Sequence, residues 1–201
     1  WFVVFAFDPM GYVKDDERDE LDADAMMASL KEGNEAGNEE RKKRGWDVLV
    51  LEGWDAPPFY DPRTNNLTWA TRLRSGDGTA GINHSIRLLG RGGVMNVELV
   101  ASPDQKPTAL PALDSMLTTF AYLPGQRYAE WREGDKVAAV GLTGLVVGGA
   151  GALAAKTGFL GKLGKALAAG AKAIIVAVVA LGAWLRKFLT RKKDGEGATA
   201  A

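Results

Sequence analysis

The feature that most constrains this chain is a change of character at Val137. Residues 1–135 carry 15 basic and 23 acidic side chains, a net charge of −8, whereas residues 136–201 carry 10 basic and 2 acidic, a net of +8. The formal neutrality of the whole therefore hides two physically different segments. The first mixes charge with short apolar runs, as a water-facing domain does. The second opens with 19 uncharged residues, Val137 to Ala155, and later contains 13 more, Ala173 to Leu185. The composition predicts an α+β domain, an antiparallel sheet with one or two packed helices, followed by a C-terminal hydrophobic helical membrane region. Its parts are the domain at 1–135, a Gly-rich apolar segment at 136–158, an amphipathic-to-transmembrane helix at 159–189 and a basic, flexible tail at 190–201.

The chain has no cysteine. Thiol catalysis, cysteine zinc sites and iron–sulfur ligation are therefore excluded, and redox compartment is left open. The chain opens directly into Trp1-Phe2-Val3-Val4-Phe5-Ala6-Phe7, which reads as a strand entered mid-protein, so an export signal would lie upstream. Asp8-Pro9-Met10-Gly11 is a turn by its residues. A helix is expected from about Leu21 to Arg44, with acids at its start, Arg41-Lys42-Lys43-Arg44 at its end and Gly45 as its stop. Gly33 and Gly37 weaken its centre, and a break near Gly33 is compatible with the sequence. Strands are expected at 46–51, 67–73, 82–89 and 94–100. Alternation through Asn83–Leu88 and Val94–Leu99 suits a sheet with one covered face. A second helix, 109–120, places Leu110, Leu113, Leu117 and Phe120 on one stripe that can pack on the sheet. A last short strand and turn are expected within 122–133.

Two readings stay open for Val137 to Ala155. Gly141, Gly144, Gly148 and Ala152 recur at three- or four-residue spacing, and Gly144 and Gly148 make the GxxxG spacing through which membrane helices pack and self-associate. The alternative is a glycine-rich segment buried between soluble elements. Further on, Lys162, Lys165 and Lys172 lie opposite Phe159, Leu160, Leu163 and Leu167 on a helical wheel. Ala166 to Leu185, 20 residues, is long enough to cross a bilayer core of about 30 Å if Lys172 snorkels. Trp184, Arg186 and Lys187 would then mark the interface, the alternative being a buried bundle helix. The basic tail favours a cytoplasmic C-terminus and, with one span, an extracytoplasmic domain. A second span would bring both ends to one side.

Chemistry-bearing motifs are sparse. Gly76-Asp77-Gly78-Thr79-Ala80-Gly81 matches GxGxxG but lies between two expected strands, where no helix N-terminus stands behind a phosphate, so it reads as a hairpin loop. Gly149–Ala154 mimics the same pattern without the acidic residue that a dinucleotide ribose requires. The acidic run Asp15–Asp24 lacks the glycine and closing glutamate of a calcium loop and reads as a solvated helix start. His84 is the single histidine, and neighbouring Ser85 is not activated by sequence adjacency. Asp55, Asp61, Glu98 and Asp135 are the carboxylates from which a hydrolytic pair could be drawn. Trp54, Phe59, Tyr60 and Trp69, around Pro57-Pro58, either line a recognition groove or belong to the core. The net charge of the domain argues against nucleic acid as a partner. No cofactor, metal or catalytic residue is implied.

Several separated motifs together resemble one bacterial family of predicted membrane-anchored proteins, domain-of-unknown-function family 2167. They are Trp1–Phe5 with Gly11-Tyr12-Val13-Lys14-Asp15-Asp16-Glu17, Gly53-Trp54 through Pro57–Asp61, Leu67–Ala70, Arg87-Leu88-Leu89-Gly90-Arg91-Gly92-Gly93, and Gly134-Asp135-Lys136 through Gly141. The resemblance covers nearly the whole chain and implies a C-terminal fragment of a longer, exported protein held at the inner membrane. It brings no activity, cofactor or catalytic residue. His84 and Val140 stand where the family pattern suggests tyrosine. The resulting expectation is a domain that binds an envelope protein or component. A carboxylate-dependent envelope hydrolase and an oligomeric helix assembly are the alternatives.

Overall fold

The computed structural model describes residues 1–148, and all of them fall within one compact unit. Nine elements follow in order: β1 (Phe2–Asp8), α1 (Ala23–Lys43), β2 (Leu49–Asp61), β3 (Asn66–Ser75), β4 (Ala80–Leu89), β5 (Val94–Ala101), α2 (Lys106–Thr118), a 3₁₀ turn (Tyr128–Glu130) and α3 (Leu142–Val147). The strands form one five-stranded sheet, ordered β1-β5-β4-β3-β2 and antiparallel throughout. Short turns make β2 to β5 a meander. The long connection through α1 carries the chain from one sheet edge to the other.

Helix α1 forms for the reasons its sequence gives. Asp22 caps it, its carboxylate accepting from the Ala25 N–H at 2.9 Å, and Arg41, Lys42 and Lys43 occupy the last turn. It runs unbroken through Gly33 and Gly37, neither of which meets a neighbour within 4 Å, so both glycines weaken propensity without interrupting packing.

Sequence and structure differ at three places. Strand β2 continues ten residues past the expected end at Leu51, through Pro57-Pro58 to Asp61. It is an edge strand whose register slips between Leu51 and Gly53, Trp54 and Ala56, and Ala56 and Phe59; an edge with bulges tolerates prolines that a central strand would not. The strand expected within 122–133 does not form. That stretch is irregular, fixed by one bridge from Gly90 to Arg127 and by the 3₁₀ turn. Helix α2 begins three residues early, with Pro107 in its first turn, and also contains Pro111.

Both faces of the sheet are covered, by different means. Alternate residues of a strand face opposite ways. On one face Ile86, Leu88, Val97 and Leu99 pack beneath α2, which contributes Ala109 and Leu113 with Leu110, Leu117 and Phe120 beside them. On the other, Tyr60, Leu67, Trp69, Leu89 and Val94 meet Met26 of α1, Val13, Tyr128, and Leu142, Leu145 and Val146 of α3.

Candidate functional site

The second of those cores depends on a strap. Residues 10–17 and 135–143 lie side by side, joined by a parallel bridge in which the Tyr12 N–H donates to the Lys136 carbonyl and the Ala138 N–H to the Tyr12 carbonyl, both at 2.8 Å. The loop between β4 and β5 holds this pair from below. Arg91 makes a bidentate ion pair with Asp135, Nε and Nη2 each 2.7 Å from a carboxylate oxygen, and its Nη1 donates to the Gly125 carbonyl at 3.2 Å. The Arg132 N–H donates to the same carboxylate at 2.7 Å, and Lys136 Nζ donates to the Pro9 carbonyl at 3.1 Å. The guanidinium beside Asp135 holds its carboxyl well below the usual range, at about 2.

Two glycines permit the close approach. Gly11 has φ +105°, and a Cβ there would lie 2.7 Å from the Lys136 carbonyl oxygen. At Gly93 a Cβ would overlap the Asp8 carbonyl oxygen. Arg91, Gly92, Gln126, Asp135 and Lys136 line an open depression of about 270 Å³ at this junction. Both of its cations are already engaged, Arg91 by Asp135 and Lys136 by Pro9.

Beyond the junction the strap enters the core. Tyr12 stacks on Tyr128 with ring centroids 4.5 Å apart, and the Tyr128 hydroxyl donates to the Val13 carbonyl at 2.8 Å. Burial first, then Tyr12, pushes the Tyr128 hydroxyl far up. Burial also raises Tyr60 to about 12, its hydroxyl donating to Asp15 at 3.1 Å. These phenols are therefore neutral donors that lock main chain and carboxylate in place. The Glu17 carboxylate accepts from the Thr143 N–H at 3.0 Å, in the first turn of α3.

The structure brings three of the four candidate aromatics into one core and sets Phe59 apart. Trp69 and Tyr60 are core residues, each 5% exposed, and Trp54 is half-buried with its indole N–H on the Ala23 carbonyl. Phe59, 64% exposed, belongs to the other face of the sheet. Trp54, Tyr60 and Trp69 therefore share one core cluster, the second of the two readings of these aromatics, and Phe59 is parted from Tyr60 by the ordinary alternation of a strand. Gly141 precedes α3, Gly144 is buried within it, and Gly148 ends it in the left-handed region at φ +86°. Along the described part of that segment, α3 turns Leu142, Leu145 and Val146 into the domain's own core. Ala152, Lys172, Trp184, Arg186 and Lys187 lie outside the described residues. Among the described residues no helix is long and apolar enough to cross a membrane.

His84 and Ser85 face opposite sides of β4. The Ser85 hydroxyl donates to Glu98 at 2.5 Å, Glu98 pairs with Arg87 at 2.7 Å, and Arg87 lies 4.7 Å over the Trp69 ring. His84 faces α2, and burial lowers its pKa against the pull of Asp114. The four carboxylates considered for hydrolysis are each committed to a separate cation: Asp55 to Lys106, Asp61 to Arg63, Glu98 to Arg87 and Asp135 to Arg91. Gly76–Thr79 forms the β3–β4 hairpin loop and Ala80 and Gly81 open β4, the Ser75 N–H donating to the Thr79 carbonyl at 2.9 Å and Asp77 accepting from the Thr79 N–H. Among the described residues no group of three histidines and carboxylates could hold a metal ion.

The residues of this junction, Gly11 to Glu17, Arg87 to Gly93 and Gly134 to Gly141, are three of the motifs that carried the family resemblance. The family model described as "Protein of unknown function (DUF2167)" matches residues 1–182. The chain belongs to this family. Among curated proteins and solved structures nothing matches it. In this member of DUF2167 those three segments meet in space and tie residues 135–147 into the domain core.

Sequence reasoning missed the Arg91–Asp135 pair, the capping of α3 by Glu17, and Asn34 and Asn38. The two asparagines stand four apart on α1, a spacing that puts both side chains on one face. That spacing was the available signal.

Proposed function

We propose that this protein is a membrane-anchored component of the bacterial cell envelope whose domain binds an envelope partner. The anchor would be the stretch Ala166 to Leu185, with the domain outside the inner membrane and the basic tail in the cytoplasm. The observation that carries this reading is the junction. The acidic domain does not end where its composition ends: α3 is built into its core, and only seventeen residues separate Gly148 from Ala166. A domain so joined to an apolar, basic-flanked stretch would be held close to a bilayer surface with limited freedom to move away. The commitment of each candidate carboxylate to a cation favours a binding role over acid–base hydrolysis.

The test uses the absence of native cysteine. Single cysteines at Ser75, Thr157 and Thr199 in the full-length protein are labelled in intact cells with a membrane-impermeant thiol reagent. Labelling at Ser75 and Thr157 but not at Thr199 is the expected result, for one span and an exported domain. Labelling at Thr157 alone, or recovery of the protein in the soluble fraction after lysis, would contradict it.

A further inference from the structure

The open depression at the junction is lined by three separate stretches of chain: Arg91 and Gly92 between β4 and β5, Gln126 before the 3₁₀ turn, and Asp135 and Lys136 of the strap. Each of its two cations is engaged, and neither is saturated. A guanidinium has five N–H donors and an ammonium three. Arg91 uses two on Asp135 and one on the Gly125 carbonyl, and Lys136 uses one on the Pro9 carbonyl, so two donors remain on each. The side-chain amide of Gln126 makes no hydrogen bond among the described residues. Charge points the same way. The lining holds two cations and one carboxylate, an excess of +1, where residues 1–135 as a whole carry −8. On the neighbouring turn Arg127 and Arg132 balance Glu130 and Glu133. Salt screens the domain's more distant acids beyond about 8 Å, so the local excess governs what binds here. The cations are also held in place: the Arg91 and Asp135 side chains are only 20% and 22% exposed.

We propose that this depression binds a phosphate-type oxyanion between Arg91, Gln126 and Lys136. Its volume of about 270 Å³ lies below the roughly 300–1,000 Å³ of clefts that take drug-sized ligands, and it suits a single small group. Asp135 already occupies the fork of Arg91, the geometry that a planar carboxylate ligand would need. The donors left are single ones on different segments. A tetrahedral group with several oxygens can accept from them together. Gly92 adds a wall without a side chain, which leaves the anion room to approach. The bound anion would join the β4–β5 loop, the stretch before the 3₁₀ turn and the strap, and so steady the strap by mass action. Free phosphate and a phospholipid headgroup share this chemistry, and the experiment separates them. The site rests on its lining and not on the envelope reading, so phosphate binding would stand even in a chain without a membrane span.

The experiment follows the amide NMR spectrum of the whole chain in nonionic detergent at pH 7 while sodium phosphate replaces sodium chloride at constant ionic strength. Saturable shifts are expected at Gly92, Gln126 and Lys136, with slower solvent exchange of the Ala138 amide. The decisive variant is Gly92→Asp. Gly92 lies outside the left-handed region, and a Cβ there meets only Gln126 Oε1 at 3.6 Å, an ordinary contact, so a carboxylate enters the depression while the fold is kept. Phosphate affinity should fall about tenfold or more in Gly92→Asp and in Lys136→Gln, with the amides inside β4 and β5 unmoved. If Lys136→Gln loosens the strap, Gly92→Asp decides alone. The chain in phosphatidylglycerol nanodiscs without phosphate then gives the source. The three amides already at their phosphate-bound positions, and displaced from them by Gly92→Asp, would assign a lipid headgroup; amides at their free positions would assign free phosphate. Shifts that do not saturate with phosphate and are absent in nanodiscs, or binding that Gly92→Asp leaves unweakened, would overturn the proposal.

Discussion

The two faces of the sheet are covered by opposite routes. Under α2 a single contiguous helix lays Leu110, Leu113 and Leu117 across Ile86, Val97 and Leu99, and its spacing alone announces the contact. On the other face the cover is assembled from Val13 and Met26 and, more than a hundred positions later, Tyr128 and Leu142, held by main-chain bonds, an ion pair and two glycine contacts. A face covered by one amphipathic element loses stability when a contact is lost. A face covered by a strap loses stability and also lets go of whatever the strap leads to. In this protein it leads toward the apolar C-terminal segment.

The sharpest way to break that comparison is to remove one fully buried leucine from each face. Leu142→Ala and Leu113→Ala should each cost about 2–5 kcal/mol in denaturant unfolding. Only Leu142→Ala should also open residues 136–148 to limited proteolysis in the remaining native protein; equal cleavage in both variants would erase the distinction. Gly93→Ala comes next. Its Cβ cannot fit against the Asp8 carbonyl, so β1 must shift, and a loss of about 1–3 kcal/mol is expected. Asn38→Ala leaves the Leu49 N–H and carbonyl without their partner and should cost about 1–2 kcal/mol with no effect on the strap.

The smallest effect is electrostatic. The carboxyl of Asp135 titrates at about 2 in the folded protein, below its ordinary value near 3.8. Its contribution to stability is therefore complete above about pH 4 and lost as the pH falls toward 2. Asp135→Asn should destabilise the protein at pH 7, and the gap to the unmodified chain should close across that acid window. A gap that persists at pH 2 would mean that Asp135 acts by shape and not by charge.

The contrast between the faces also explains how much could be read from sequence. The strands, the antiparallel sheet and both long helices follow from period, caps and turn residues, and the α2 stripe from helical spacing. What covers the other face has no period: Tyr12, Glu17, Tyr128 and Arg91 act through single long-range bonds that leave no local pattern. The continuation of β2 past Leu51 was masked by Pro57-Pro58, which ordinarily ends a strand. The aromatic cluster around Pro57-Pro58 reads as groove or as core, and only the contacts of Tyr60 and Trp69 decide for the core. In α3, Leu142, Leu145 and Val146 read equally well as membrane-facing or core-facing, because lipid and protein interior select the same side chains. Only their contacts distinguish the two.

The central claim is that residues 136–148 are part of the domain and open only with it. Native-state hydrogen exchange on the whole chain tests it most directly, by comparing the amides of Tyr12, Ala138 and Leu145 with those of β4 and β5. The account predicts that all of them exchange through one opening of the same free energy. Exchange of Ala138 and Leu145 through a separate, lower-energy opening, with β4 and β5 still protected, would contradict it.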